Sequence, residues 1–225
     1  LGLSTSATTT ALGQGAPASL PMAFRQQVAF TDQEQKTIDA YVAGQAERLA
    51  GTEASAHSRF RDNLVAASNG SPAFADAYAK SVNDALTPVV KGNDFRAKLN
   101  AAVAAARIAD KTNRPRLHDI AMVMLADKNP GIVLWGAKAA KAVVPAMFAA
   151  QGAAASGDLI KAVAHAALTS HSGPIAAEAY QTLAPRVVGV PATSVQPMVK
   201  ATLPSLLELM ATRNKQYVSG MPDEP

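Results

Sequence analysis

Four histidines are the residues of this sequence that could bind a metal ion or transfer a proton near neutral pH. His165 and His171 lie six residues apart, which places them on different faces of a helix. No His-Glu-x-x-His motif occurs, and the chain has no cysteine, so thiolate metal sites, disulfides and a thiol nucleophile are excluded. We therefore expect solvated or capping histidines, no metal site and no cofactor.

Other motifs of catalytic chemistry are also missing from the sequence. No Gly-x-Ser-x-Gly elbow, phosphate-binding loop or dinucleotide fingerprint occurs, because the glycines are isolated. Glu178 stands between two alanines, where it is either a buried acid with a raised pKa or, as we expect, a residue on the exposed side of its helix. The sequence therefore predicts no catalytic residue and no enzymatic activity.

Basic residues are concentrated in the middle of the chain. Residues 94–141 contain nine basic and four acidic residues, a net charge of +5 against +4 for the whole chain. Four of these residues cluster around one predicted turn: Arg107, Lys111, Arg114 and Arg116. This cluster is either a solvated turn or a docking site for an acidic protein surface or another anion. Aromatic residues are not interleaved with it, which makes a nucleic-acid partner unfavoured.

The composition favours closely packed helices. The chain has 49 alanines among its 225 residues, 48% hydrophobic residues and 5% aromatic residues. Alanine is the best helix former and adds little bulk, so helices rich in it can approach closely. No uninterrupted apolar run approaches the roughly 20 residues that a membrane-spanning helix needs, and we expect no transmembrane segment.

The first part of the chain differs in composition from the rest. Residues 1–24 carry no charged side chain and are rich in small and hydroxylated residues. Residues 1–30 are predicted to be a flexible segment, or the end of a secretory signal with Ala11-Leu12-Gly13 as a cleavage site before Gln14. A secretory signal predicts a periplasmic or secreted protein. A flexible segment is also compatible with a cytoplasmic protein.

Helical periodicity runs through residues 31–217, which we expect to form one domain followed by a flexible tail at 218–225. Thr31 and Glu34 form a capping box at the start of the first helix. Later helices are predicted to begin near Thr52, Ser71-Pro72, Asn93-Asp94, Asn113, Asn129-Pro130, Gly157, Gly173-Pro174 and Ser194. Pro145 should kink the sixth helix or end it early. Trp135 is predicted to pack in the interior of the fold.

The last helix has a stripe of apolar residues that is expected to face the core. Its members are Val195, Val199, Leu203, Leu206, Leu209 and Met210. A kink is expected at Pro204.

The helices recur in pairs. The helices that begin at Pro130 and Pro174 are 44 residues apart, and each follows another helix after a short turn. A period of this length, with two helices in each unit, is typical of helical repeat proteins.

Residues 117–144 resemble a HEAT repeat. The family pattern is an apolar helix, an Asp-x-x-Pro-like turn and an Ala-rich second helix. The matching residues are Asp127, Asn129, Pro130, Ala137 and Ala140. Val133 occupies the place of the family's usual Arg, so the resemblance implies the helix pairing but not the Asp–Arg ladder of the family.

The resemblance implies an all-α fold, an α-α superhelix built as a short HEAT-like solenoid of about four helix pairs plus a C-terminal helix. By analogy, it implies a non-catalytic scaffold or protein–protein interaction module within a larger assembly, with other protein subunits as partners. The sequence is also compatible with a homo-oligomer. Two alternatives remain: an anion- or nucleic-acid-binding solenoid that uses the basic region 94–141, and an enzyme-accessory HEAT-like protein.

Overall fold

The described part of the chain is entirely helical in its regular structure. The computed structural model describes residue 17 and residues 19–51, 57–184 and 192–220. The α-helices in these ranges are α1 (Asp32–Ala50), α2 (His57–Ala67), α3 (Pro72–Lys91), α4 (Phe95–Thr112), α5 (His118–Leu125), α6 (Pro130–Gln151), α7 (Ala153–Thr169), α8 (Gly173–Leu183) and α9 (Ala192–Val218). Two short 3-10 turns, Met22–Gln26 and Pro115–Leu117, precede α1 and α5. No β-strand occurs in these ranges, and the predicted all-α class is confirmed.

Several helices begin where the capping residues predict, whereas α5 begins at His118 and not near Asn113, and α7 begins at Ala153 and not near Gly157. The predicted start near Thr52 lies outside the described residues. The Thr31 hydroxyl accepts a hydrogen bond from Glu34 N at 3.3 Å, and the Glu34 carboxylate accepts one from Thr31 N at 2.9 Å, so the capping box is confirmed. Ser71 and Asn129 likewise cap α3 and α6 with their side chains, and a proline follows each of them at the first helical position. These caps satisfy backbone N–H groups that have no partner inside the helix.

Pro145 does not end α6 early, and the kink that was the other expected outcome stays a prediction. The helix continues to Gln151, six residues beyond the proline. Met147 and Phe148, in this last stretch, are both buried in the core. Burial of these two large side chains compensates for the hydrogen bond that proline removes from the helix.

The helices are arranged in two rows that follow the order of the chain. In the first row, α1, α3, α5, α7 and α9 contact one another in sequence, and in the second row α2, α4, α6 and α8 do the same. Each odd-numbered helix up to α7 also contacts the even-numbered helix that follows it. This contact order is the one that stacked helix pairs produce. The superhelical path and the HEAT-like character of the repeat remain predictions.

Alanine side chains allow the helices at the centre of the stack to pack close together. In α4, seven alanines are buried, and the helix contacts both α3 and α6 closely. The buried alanines of α4 that lie between Val103 and Lys111 are Ala104, Ala105, Ala106 and Ala109. Small side chains on both sides of a contact let two helix axes approach to about 8 Å, the lower end of the usual range. The core is therefore built from short contacts between backbones as well as from large side chains.

The residues before α1 pack on the N-terminal end of α3. Leu20 is buried, and the rings of Phe24 and Phe30 meet edge to face, with centroids 5.8 Å apart. Phe30 in turn lies 6.2 Å from the ring of Phe74, and Ser71 N donates a 2.6 Å hydrogen bond to the Arg25 carbonyl. The part of the predicted flexible segment 1–30 that is described therefore has defined contacts. The proposed cleavage site at Ala11-Leu12-Gly13 lies outside the described residues.

Among the described residues, α6 is the one helix long and apolar enough to cross a membrane. Its most apolar 18-residue window has a mean hydropathy of 1.4, and 61% of that window is buried inside the protein. The buried residues contact α4, α5, α7 and α8. These contacts give α6 the position of a central core helix, and the expectation of no transmembrane segment stays a prediction.

Candidate protein-interaction surface

The last helix, α9, is the longest and packs on the fold along only part of its circumference. It has 27 residues, which corresponds to about 40 Å. Its buried residues are Met198, Thr202 and Leu209, and it contacts mainly α7, with fewer contacts to α8 and α6. Thr202 satisfies its hydroxyl within the helix by donating to the Met198 carbonyl at 3.1 Å. One narrow face therefore attaches α9 to the stack.

A second, apolar face of α9 is exposed. Val199, Leu203, Leu207 and Met210 expose 38%, 44%, 56% and 52% of their surface. Their spacings of four, four and three residues place them within about 80° of one another around the helix, at 100° per residue. We call these four residues the α9 apolar face. They form a contiguous stripe and not a scatter of single hydrophobic residues, which is the pattern that marks an interaction site.

The first half of this face borders an open groove. The groove has a volume of about 760 Å³, and the described residues that line it include Pro197, Val199, Lys200 and Leu203. The described part of its lining is apolar except for the Lys200 side chain and the Gln196 amide. A groove of this size and character can accept apolar side chains from a partner.

The predicted stripe of α9 is only partly correct. Of the residues expected to face the core, Leu209 is buried, whereas Val199, Leu203 and Met210 are exposed. The residue that fixes the buried face is Met198, together with the polar Thr202, neither of which the apolar pattern selected. The helix has apolar residues over a wider arc than one neighbouring helix can cover, and periodicity alone does not show which part of that arc is covered.

Arg107 and Lys111, two of the predicted docking residues, lie one turn apart on α4 and face α2. Arg107 Nη1 is 3.6 Å from the Asp62 carboxylate, and Lys111 Nζ donates to the Val65 carbonyl at 3.3 Å. Val65 lies in the last turn of α2, where a cation is favoured by the helix dipole and by carbonyls that lack a helical partner. The Lys111 contact therefore connects α4 to α2, whereas the Arg107–Asp62 pair is half exposed and contributes little.

Arg114 and Arg116, the other two, lie in the connection between α4 and α5. Arg116 Nε forms an ion pair with Asp76 of α3 at 3.1 Å. Arg114 is partly buried at the end of α4, and its Nε atom has no hydrogen-bond partner among the described residues. Three of the four basic residues thus have described partners, which lie on two different helices, α2 and α3. Their docking role stays a prediction.

Ion pairs also connect other neighbours along the second row of helices. Lys98 of α4 pairs with Asp127, which lies in the turn between α5 and α6. Lys141 Nζ of α6 lies 2.7 Å from the Glu178 carboxylate of α8, and Lys138 Nζ lies 3.7 Å from it. With Asp62–Arg107, these contacts connect α2 with α4, α4 with the turn before α6, and α6 with α8.

Glu178 does not lie on the exposed side of its helix, and that expectation is wrong. Only 14% of its side chain is exposed. The two lysines of α6 explain how the carboxylate is accommodated, because they place positive charge beside it where the helices meet. Trp135 is partly buried against the core, with Lys138 Nζ 5.0 Å from the centre of its ring.

The described histidines are not arranged as a metal site. No group of three or more His, Asp or Glu residues in the described ranges could hold a metal ion. His57 is buried, with Nε2 at 2.8 Å from the Gly51 carbonyl. His118 Nδ1 lies 3.1 Å from Asp119, and its buried Nε2 contacts no hydroxyl nucleophile among the described residues.

Comparison with known proteins gives this chain no relatives on which a function could be based. No family model matches the sequence, and no curated protein or solved structure matches it significantly. The α9 apolar face is therefore the feature that a functional proposal has to explain.

Proposed function

We propose that this protein is a non-catalytic scaffold, a protein–protein interaction module that binds another protein subunit through the α9 apolar face. The observation that carries the proposal is the exposure of Val199, Leu203, Leu207 and Met210 side by side on one helix. Full burial of one such side chain is worth about 1.5–3 kcal/mol. Four half-exposed side chains in a row therefore represent several kcal/mol that a binding partner can recover.

The position of α9 supports the same proposal. It is the last helix of the first row, and its buried face already contacts α7 and α8. A contiguous apolar face exposed to water is a cost for the isolated chain, which a partner would remove.

Anion binding by the basic region is supported less well. Arg107, Lys111 and Arg116 already contact Asp62, Val65 and Asp76 within the fold. A phosphate or other anion would have to compete with these contacts, whereas the α9 apolar face has no described partner to displace. The alternative function stays a prediction of the sequence.

Site-specific photocrosslinking tests the proposal. A photoreactive phenylalanine analogue replaces Leu207 in the full chain, and cells of the native source are irradiated. We expect a covalent adduct heavier than the 23.2 kDa chain. The matched control carries the same analogue at Met22, an exposed apolar residue near the other end of the chain, and should give no adduct. Absence of any adduct at Leu207 would contradict the proposed function.

A further inference from the structure

The connection between α2 and α3 contains the one Asn-Gly pair of the sequence, Asn69-Gly70. We infer that Asn69 is a site of spontaneous covalent modification, where the folded chain converts the carboxamide through a succinimide into aspartate and isoaspartate. Three observations carry the inference: the accessibility of the Asn69 side chain, the unpaired N–H group of Gly70, and the contacts that require a glycine at position 70. This modification does not depend on the α9 apolar face.

The reaction joins the backbone nitrogen of Gly70 to the side-chain carbon Cγ of Asn69. As this C–N bond forms, the C–N bond of the carboxamide breaks, and the proton of the Gly70 nitrogen leaves with the amide group as ammonia. Water then opens the succinimide ring. Opening at Cγ gives aspartate, whereas opening at the main-chain carbonyl gives isoaspartate, in which the main chain runs through Cβ and Cγ. One water is consumed and one ammonia is released, so the mass rises by about 1 Da.

The side chain of Asn69 is available for this reaction in the folded chain. Asn69 is exposed and lies outside the helices, and its carboxamide forms no hydrogen bond with the described residues. By contrast, the Asn100 amide donates to the Arg96 carbonyl at 2.9 Å, and the Asn129 side-chain oxygen accepts from Gly131 N at 2.9 Å. A carboxamide that is not held in this way can turn toward the next backbone nitrogen.

Gly70 supplies a nucleophile that is also unpaired. Gly70 is exposed, and its N–H group forms no hydrogen bond with the described residues. The next N–H group, that of Ser71, donates to the Arg25 carbonyl at 2.6 Å. Because glycine has no Cβ atom, its nitrogen is accessible and its backbone adapts readily. Both reacting groups therefore lie on adjacent exposed residues.

Packing explains why a glycine follows Asn69. A Cβ atom at Gly70 would lie 2.5 Å from Cδ1 of Phe74 and 3.1 Å from Cα of Arg25. Phe74 is fully buried, so its ring has little room to move aside. A larger residue at position 70 would hinder attack on the Asn69 side chain, but it does not fit between these neighbours. The packing of α3 therefore requires the residue that makes the preceding asparagine reactive.

Isoaspartate at position 69 should loosen this connection. The residues on either side are fixed, because the Ser68 hydroxyl donates to the Val65 carbonyl at 2.8 Å and Ser71 N donates to the Arg25 carbonyl. The one extra carbon atom of the main chain has to be accommodated between these two points. It would displace the intervening glycine from the core and weaken the contact of the residues before α1 with α3. We therefore expect the modified chain to unfold at a lower urea concentration.

Incubation of the full chain at neutral pH and physiological temperature tests the inference. Peptide mapping by mass spectrometry follows the mass gain at each asparagine, and an isoaspartate-specific methyltransferase detects isoaspartate. We expect Asn69 to react first. Asn93 and Asn214 are the internal controls, because both are exposed and form no described side-chain hydrogen bond. They are followed by Asp94 and Lys215 and not by glycine.

Asn69→Gln is the matched variant. Its longer side chain would have to close a larger ring, so the mass gain at position 69 should disappear. Its urea midpoint should stay constant during incubation, whereas the wild-type midpoint should fall as isoaspartate accumulates. Circular dichroism before incubation should show the same helical content in both proteins, since residue 69 is exposed.

Three results would overturn the inference. The first is a native chain in which Asn69 stays intact for as long as Asn93 and Asn214 do. The second is reaction at Asn69 only in the chain unfolded by urea, which would show that the fold protects this site. The third is an unchanged urea midpoint in chains that carry isoaspartate, which would show that the connection accommodates the extra carbon atom.

Discussion

Gly136 of α6 lies directly against Met124 of α5. A Cβ atom at Gly136 would be 2.9 Å from the Cβ of Met124 and 2.9 Å from the backbone nitrogen of Leu125. Because backbone atoms cannot turn aside as a side chain can, Gly136→Ala should force the two helices apart. We expect a loss of about 1–3 kcal/mol in the free energy of unfolding, measured by urea denaturation.

Gly157→Ala is the matched control for this variant. Gly157 lies inside α7, and a Cβ atom there would meet nothing within 4 Å. Alanine should therefore stabilise the helix by about 0.5–1 kcal/mol. If the two variants change the unfolding free energy in the same direction, the prediction that α5 leaves no room for a Cβ atom at position 136 is contradicted.

Asn83 joins α3 to the start of α5 and should be important for stability. Its side-chain oxygen accepts a 3.0 Å hydrogen bond from Ile120 N, and its amide group donates to Asp119 at 3.3 Å. Asn83→Ala leaves the buried Ile120 N–H without that partner, and we expect a loss of about 1–3 kcal/mol in urea denaturation. Asn214, an exposed residue of α9 whose side chain has no described hydrogen bond, should change stability by less than about 0.5 kcal/mol when it is replaced in the same way. Equal effects at the two positions would contradict the interpretation of Asn83.

The ion pairs of Glu178 should contribute more to stability than an exposed pair does. Glu178→Ala leaves Lys138 and Lys141 without their carboxylate at a largely buried position, so we expect a loss of about 1–3 kcal/mol. In the exposed Lys80–Asp84 pair of α3, Asp84→Ala should cost about 0.5 kcal/mol or less. Urea denaturation of both variants at low and high salt measures the difference. If the stability loss caused by Glu178→Ala falls strongly at high salt, the carboxylate of Glu178 is exposed to solvent and the interpretation of a buried ion pair is contradicted.

Tyr78 should make the fold sensitive to alkaline pH. Burial raises the pKa of its phenol well above the ordinary value, and the hydroxyl donates to the Leu64 carbonyl at 2.8 Å. The unfolded chain therefore loses this proton first as the pH rises. Stability is unaffected well below pH 10 and falls above it, with a slope of at most about 1.4 kcal/mol per pH unit from this group.

Tyr78→Phe isolates this effect from other groups that titrate at high pH. Urea denaturation at pH 9 and pH 11 should show a smaller loss of stability for the variant than for the wild type, although its stability at pH 9 is lower because a buried hydrogen bond is missing. Burial also raises the pKa of Tyr41, so part of the alkaline loss should remain. Identical losses in the two proteins would show that Tyr78 ionises as an exposed phenol does.

Helix positions could be predicted from the sequence because they depend on local chemistry. Thr31, Ser71 and Asn129 cap the helices that they were expected to cap, since a cap needs only its own side chain and the next two or three backbone N–H groups. The end of α6 was predicted less well, because burial of Phe148 on other helices outweighs the local effect of Pro145.

The candidate surface could not be predicted in the same way. The apolar pattern of α9 shows that Leu203 and Leu209 prefer to leave water, but it does not show that α7 covers one and leaves the other exposed. The partners of Arg107 and Arg116 likewise come from α2 and α3, about 40 residues earlier in the sequence. Which side of a helix remains uncovered is a property of the assembled stack.

The two-row arrangement of the helices has a consequence for synthesis of the chain. Most helix contacts join elements that are one or two helices apart, so little loop-closure entropy is lost as each helix docks. Proteins with such local contacts fold fast, within microseconds to milliseconds, whereas a ribosome adds only about 5–20 residues per second. Each helix pair can therefore dock on its predecessor before the next pair has been translated. Because α9 is translated after α1 to α8, the α9 apolar face forms on helices that have already docked.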